Sequence, residues 1–178
     1  MNNSYTRKRT EWNNQVLSNS DYSKQVLRPI NDKDFQNYIE YILNKLQLSE
    51  ATDYLLDVGC GNGLMLSRLK ENSSNIAGVD YAEAMIEQAR RIVPEAVLYA
   101  SEAKKIPFLD NTFDRVLCYS ISHYFPSDDY IYQAVDEMIR VCKDGAIILL
   151  GDVLDQKFEE EIKDASNKSI EKEMPSIM

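Results

Sequence analysis

A glycine-rich turn directly after a short apolar run is the feature of this sequence that most clearly indicates chemistry. The apolar run at 54–58 contains one acid, Asp57, and the letters G-C-G-N-G follow at 59–63. Glycines allow a sharp turn and let a ligand approach the main chain closely. The dinucleotide fingerprint G-x-G-x-x-G would need a third glycine where the chain has Leu64, which argues against a nicotinamide-dependent dehydrogenase.

A second acid, Asp80, ends the next predicted strand, nineteen residues after Gly61. An open α/β sheet places a carboxylate there to accept hydrogen bonds from the two hydroxyls of a ribose. Such a bidentate arrangement on a charged acceptor is among the stronger hydrogen-bonding patterns. An acid at this position also suits the N-cap of the following helix, so both roles stay open.

Four segments, in this order, resemble the motifs of class I S-adenosylmethionine-dependent methyltransferases of the small-molecule type. They are the glycine-rich turn, G-V-D-Y-A-E-A-M at 78–85, A-S-E-A-K-K-I-P-F-L-D at 100–110 and N-T-F-D-R-V at 111–116. The resemblance implies S-adenosylmethionine as cofactor, S-adenosylhomocysteine as product, and methyl transfer to an oxygen or nitrogen of a small-molecule acceptor. A non-catalytic S-adenosylmethionine-binding module that regulates or scaffolds is the alternative.

The resemblance also assigns cofactor contacts to particular residues. The turn is expected to pass against the methionine part of the cofactor, and Asp57 to face its amino group or merely to cap the turn. Glu102 stands where the family has Asp, one methylene shorter. The residues implied as cofactor-binding are Asp57, Gly59, Cys60, Gly61, Asp80, Tyr81, Met85, Glu102, Ala103, Ser120 and Tyr22.

His123 is the only histidine of the chain and follows the fourth predicted strand. Family members often carry a histidine there, near the transferred methyl group, which implies a catalytic general base. A neutral imidazole is well matched to take a proton near pH 7. A structural loop histidine is the competing interpretation.

The elements that must position these residues alternate between strand and helix. Strands are predicted at 54–58, 75–80, 96–100, 113–119 and 146–150, and helices at 31–47, 64–71, 82–93 and from 127 to about 142, with Ile139 inward and Gly145 ending the last helical unit. Alternation of this kind predicts a Rossmann-like, doubly wound, mainly parallel sheet with helices on both faces. The apolar runs lack period-two alternation, as strands covered on both faces do.

Composition limits the partners. The chain has 178 residues, 20 basic and 29 acidic, for a net charge of −9, which disfavours nucleic acid. No apolar run approaches the roughly 20 residues that a bilayer-spanning helix needs. Three widely spaced cysteines and one histidine lack the ligand pattern of a zinc site, and indicate reduced thiols in a cytoplasm. We expect no metal, no membrane contact, and a monomer or weak homodimer.

The sequence divides into two parts. Residues 1–30 are polar but carry Tyr5, Trp12 and Tyr22, which suits either a flexible arm or an ordered lid packed over the site. Residues 31–178 form the predicted methyltransferase domain. The sheet of the resembling family usually ends with an antiparallel hairpin after the fifth strand, and that hairpin is missing here. The sequence therefore favours truncation at the C-terminal end, because an uncovered sheet edge promotes aggregation.

Overall fold

A computed structural model describes residues 3–25, 32–48, 53–73 and 75–151 of the chain. Within these ranges five strands form one sheet in the order β3-β2-β1-β4-β5, and every neighbouring pair is parallel. The strands are β1 (Tyr54–Val58), β2 (Asn75–Asp80), β3 (Val97–Ala100), β4 (Phe113–Tyr119) and β5 (Cys142–Gly151). The helices are α1 (Asn3–Ser18), α2 (Tyr22–Gln25), α3 (Asp32–Leu46), α4 (Leu64–Leu69), α5 (Glu83–Ile92) and α6 (Asp128–Val141).

Both faces of the sheet are covered by helices, which confirms the predicted doubly wound fold. Leu55 and Leu117 face α3, α4 and α5, whereas Leu56 and Val116 face α6. Alternate residues of one strand therefore enter two separate cores, so each strand supplies apolar side chains to both faces of the sheet. Parallel strands end at the same edge of the sheet, so the turns after β1, β2, β3 and β4 converge there.

The structure corrects two local predictions near the last strand. Gly145 does not end the helical unit, because α6 stops at Val141 and β5 already begins at the next residue. Gly145 lies inside β5 with a φ of 80°, where the pairing with β4 shifts register. Ile139 is 57% exposed, because α6 buries the face defined by Tyr130, Ala134 and Met138 instead.

The N-terminal segment is ordered helix where it is described, and α1 packs mainly against α5. The predicted boundary between residues 30 and 31 lies outside the described residues, as do the predicted C-terminal truncation and missing hairpin after residue 151. Among the helices that are described, none has the length and apolar character that crossing a bilayer requires.

Candidate cofactor and active site

A cavity of about 300 Å³ lies at the carboxyl edge of the sheet, within the size range of small-molecule sites. Its floor is the glycine-rich turn after β1, and its walls come from the segments that follow β2, β3 and β4 and from α1, α3 and α4. The converging strand ends explain why residues far apart in the sequence meet here.

The glycine-rich turn is fastened to the neighbouring strand through its main chain. The amides of Gly59 and Cys60 both donate to the carbonyl of Val79, at 2.7 and 3.0 Å. Gly59 has a φ of 85°, and a Cβ placed on it would lie 2.5 Å from the side chain of Ile121. Glycine is therefore required at 59 both by the backbone conformation and by the close approach of Ile121.

Asp80 braces this turn from the end of β2. One carboxylate oxygen accepts from the amide of Gly61 at 3.0 Å, and the other accepts from the amide of Ala82 at 2.8 Å. Each oxygen keeps lone-pair capacity for a further donor, such as a ribose hydroxyl. Ala82 is itself the N-cap residue of α5, so the interpretation of Asp80 as that N-cap is wrong.

The N-terminus of α5 is instead capped from another helix. The side-chain oxygen of Asn13 on α1 accepts from the amide of Ala84 at 3.0 Å. Beside it, the guanidinium of Arg9 pairs with the carboxylate of Glu83 at 3.0 Å. These contacts hold α1 across the opening of the cavity, where Trp12 and Tyr5 form part of its wall.

Two buried acids share the floor of the cavity. Burial raises the pKa of Asp57 to about 7, and the nearby charge of Asp80 adds to the rise. Burial also raises the pKa of Asp80, to about 6, although its bonds to the amides of Ala82 and Gly61 oppose the rise. A carboxylate pair in a desolvated site is stabilised by a cationic ligand.

One end of the cavity is lined by aromatic and apolar side chains. Tyr81, Met85 and Ala103 line it, and the rings of Tyr81 and Tyr5 lie 5.1 Å apart. The hydroxyls of Tyr5 and Tyr130 share a hydrogen bond of 2.7 Å. The hydroxyl of Tyr81 is buried with no hydrogen-bond partner among the described residues, which leaves it available to a ligand.

Three of the residues predicted from the resemblance lie away from the cavity wall. The carboxylate of Glu102 pairs with the ammonium of Lys104 at 3.5 Å, while its neighbour Ala103 lines the cavity. Tyr22 is 47% exposed, and only its carbonyl contacts the turn, accepting from the side chain of Asn62 at 2.8 Å. Their cofactor contacts stay predictions, as does the catalytic role of His123.

The segment after β4 brings Ser120 and Tyr124 into the cavity wall, whereas the side chain of His123 is exposed. Ser120 has a φ of 61°, and its hydroxyl lies 3.2 Å from that of Tyr38. The ring of His123 lies 4.0 Å from that of Tyr124. A non-glycine residue in the left-handed region stores strain, and such residues are concentrated at functional sites.

Some residues of the site carried little signal in the sequence. Trp12 was expected in either a flexible arm or a lid, Tyr5 stood out only as an aromatic in a polar segment, and Asn13 carried no signal at all. Further wall residues that the sequence did not indicate come from helices whose faces were assigned only to the core, among them Phe35, Tyr38, Met65, Arg68 and Tyr130.

The fold and the cavity together define a class. A parallel sheet with a glycine-rich turn after β1 and an acid at the end of β2 is a nucleoside-binding α/β domain. The donors and acceptors present fit S-adenosylmethionine: Asp80 could accept from ribose hydroxyls, the hydroxyl of Tyr81 has no partner among the described residues, and Asp57 could offset a cationic group.

The chain belongs to the methyltransferase domain family, whose match covers residues 56–150. S-Adenosylmethionine is the cofactor of this class, and the recognition made from the sequence is confirmed. Probable methyltransferase ltbC of Aspergillus luteorubrus is 29% identical over 150 residues, covering 77% of this chain and 52% of that protein. The 27-O-demethylrifamycin SV methyltransferase of Amycolatopsis mediterranei is 30% identical over 111 residues, 58% of this chain and 40% of that protein.

A solved structure shows the same fold. Geranyl diphosphate C-methyltransferase from Streptomyces coelicolor, in complex with S-adenosylhomocysteine, superposes with a TM-score of 0.67 at 15% identity, covering 93% of this chain and 73% of that one. The chain spans about half the length of the curated relatives described above.

Proposed function

We propose that this domain transfers a methyl group from S-adenosylmethionine to an oxygen or nitrogen atom of a small-molecule acceptor. The observation that carries the proposal is the enclosure of the cavity by α1. Trp12 of that helix packs edge-on against Tyr124 at 5.5 Å, and both rings line the cavity. An opening walled by aromatic rings suits a small acceptor, and the net charge of −9 disfavours a phosphate backbone.

The protein has to align and enclose the reactants. The cofactor, when bound, supplies an electrophilic methyl group on its sulfonium. Asp80 and the turn amides fix the position of the nucleoside, and Asp57 provides the opposite charge for the cationic part. Trp12 and Tyr5 cover part of the cavity and exclude water from it. Holding two reactants in line can contribute about 7–11 kcal/mol to lowering the barrier of such a reaction.

A hydroxyl acceptor must lose a proton as the methyl group arrives. His123 is proposed as the base, and its ring contact with Tyr124 places it next to the cavity wall. Replacing His123 by Gln is expected to lower turnover by about 10²- to 10⁴-fold while cofactor affinity stays the same. A His123→Gln variant with normal turnover would make the histidine structural and leave alignment alone to explain the chemistry.

The function is tested by supplying methyl-labelled S-adenosylmethionine to the protein together with a metabolite extract and, separately, purified RNA. We expect label in low-molecular-weight products, and less label with Asp80→Ala at a cofactor concentration that does not saturate the variant. Label in RNA would contradict the small-molecule assignment. Cofactor binding by calorimetry without any transfer would identify the domain as the non-catalytic binding module. Stabilisation by NAD in place of S-adenosylhomocysteine would exclude both.

A further inference from the structure

The cavity extends past the glycine-rich turn into a space between α3 and α4. Phe35 and Tyr38 of α3 line one side, and Leu64, Met65 and Arg68 of α4 line the other. Leu64 and Arg68 are four residues apart and therefore share one face of the helix. This end of the cavity is apolar and aromatic except for one guanidinium.

Arg68 is the only lysine or arginine among the cavity-lining residues of the described chain. Its guanidinium lies 5.8 Å from the ring centre of Phe35, which holds the cation against an aromatic face. No carboxylate pairs with it within the ranges that the structure describes. Of the two acids of the wall, Asp57 and Asp80, neither forms an ion pair with Arg68, and Asp80 accepts from the amides of Gly61 and Ala82.

We propose that Arg68 is a specificity-determining residue that holds a carboxylate at the α3–α4 end of the cavity. The proposal rests on the proposed function, because it treats the cavity as a cofactor and acceptor site. Guanidinium groups present paired donors that match the geometry of a carboxylate. An acid, Asp57, and a cation, Arg68, in the wall of one cavity complement a zwitterion. The carboxylate belongs either to the amino-acid tail of the cofactor or to the acceptor.

Two ligands that differ only in the amino-acid tail distinguish the cofactor from the acceptor as the source of the carboxylate. S-Adenosylhomocysteine and 5′-methylthioadenosine share the nucleoside thioether, but only the first carries the amino-acid tail. Their affinities are measured by calorimetry on the wild type, Arg68→Gln and Arg68→Lys. The matched control is Arg91→Gln, because Arg91 is an exposed arginine on α5 that does not line the cavity. Unchanged binding of 5′-methylthioadenosine shows that a variant is folded.

If the tail supplies the carboxylate, Arg68→Gln weakens S-adenosylhomocysteine binding by about fivefold, as expected for one partly solvated ion pair. Binding of 5′-methylthioadenosine stays the same, and Arg68→Lys retains part of the effect. If the acceptor supplies it, both affinities stay the same. With S-adenosylhomocysteine saturating, benzoate, phenylacetate and cinnamate then bind the wild type better than their amides, and Arg68→Gln abolishes that preference.

Two results overturn the assignment of Arg68. One is an Arg68→Gln variant that matches the wild type towards every ligand. The other is an equal loss of affinity for both nucleosides, which shows a general disturbance of the site. Failure of the wild type to bind S-adenosylhomocysteine at all is a different result, since it removes the proposed function and this inference with it.

Discussion

Replacing Asp57 by Asn is expected to make the cofactor-free protein more stable above pH 7 and to weaken cofactor binding. Asp57 is buried, and the nearby charge of Asp80 raises its pKa further, while Asp57 in turn raises the pKa of the thiols of Cys60 and Cys118. Arg9 lowers the pKa of Asp80, but no cation contributes to the pKa of Asp57. An amide of the same shape removes the buried charge.

The sign and the size of the expected stability change follow from the raised pKa of Asp57. The folded state raises the pKa of Asp57 from 3.8 to about 7, so the folded protein binds the proton more tightly than the unfolded chain does. The contribution of Asp57 to stability is therefore fully present below pH 4, is lost as the pH rises from about 4 to about 7, and stays lost above pH 7. A pKa difference of about 3 corresponds to about 4 kcal/mol. Because a buried amide has its own cost, Asp57→Asn should recover about 2 kcal/mol at pH 8.

The assay is urea denaturation of both proteins at several pH values between 5 and 8, without ligand. The wild type should lose stability across this range, and the variant should lose less, keeping only the part that Asp80 contributes. Parallel curves would refute the reasoning, because they would mean that Asp57 has an ordinary pKa. Calorimetry in buffers of different ionisation enthalpy supplies a second test, since a cationic cofactor should displace a proton from Asp57 near pH 7.

Three further substitutions test separate parts of the site. Asp80→Ala removes the acceptor that braces Gly61 and faces the ribose, and calorimetry should show S-adenosylhomocysteine affinity reduced by about tenfold or more. Asn13→Ala removes the cap on Ala84, which should cost about 1 kcal/mol by urea denaturation and accelerate limited proteolysis of the N-terminal segment. Unchanged proteolysis would contradict the anchoring role of that bond. Gly59→Ala forces a strained φ and a clash, so it should lower stability by about 1–3 kcal/mol in the same assay, and a neutral effect would contradict the required approach of Ile121.

The sheet could be predicted because its signals are local. The bounds of β1, β2 and β4 agree with the runs predicted from the sequence, since burial on both faces of the sheet gives each of these strands a mostly apolar run. Asp80 could also be predicted from the sequence, because any residue at the carboxyl end of β2 lies beside the turn that follows β1. The sequence did not predict which groups donate to the two carboxylate oxygens of Asp80. These donors are the amides of Gly61 and Ala82, and their positions depend on the geometry of the loops.

The wall of the cavity could not be predicted, because its contacts join residues far apart in sequence. Tyr5 meets Tyr130 across 125 residues, and Asn13 meets Ala84 across 71. The sequence of α1 shows no helical periodicity of apolar residues, because this helix is mostly polar. A few anchoring side chains hold it in place instead of a continuous apolar face. The burial of α6 was also not fully predicted. The spacing of its apolar residues was compatible with more than one buried face, and Ile139 is exposed.

The polar contacts around the glycine-rich turn show why the site is assembled before any ligand enters. The side chain of Asn62 is fully buried and donates to the carbonyl of Tyr22 and to the side chain of Gln25, at 2.8 and 2.9 Å. On the other side, Asp80 accepts from the amide of Gly61. The turn is thus held between the N-terminal segment and β2 by bonds that belong to the protein. A backbone fixed in this way meets a ligand without further ordering, and lower ordering cost on binding means higher affinity for the same contacts.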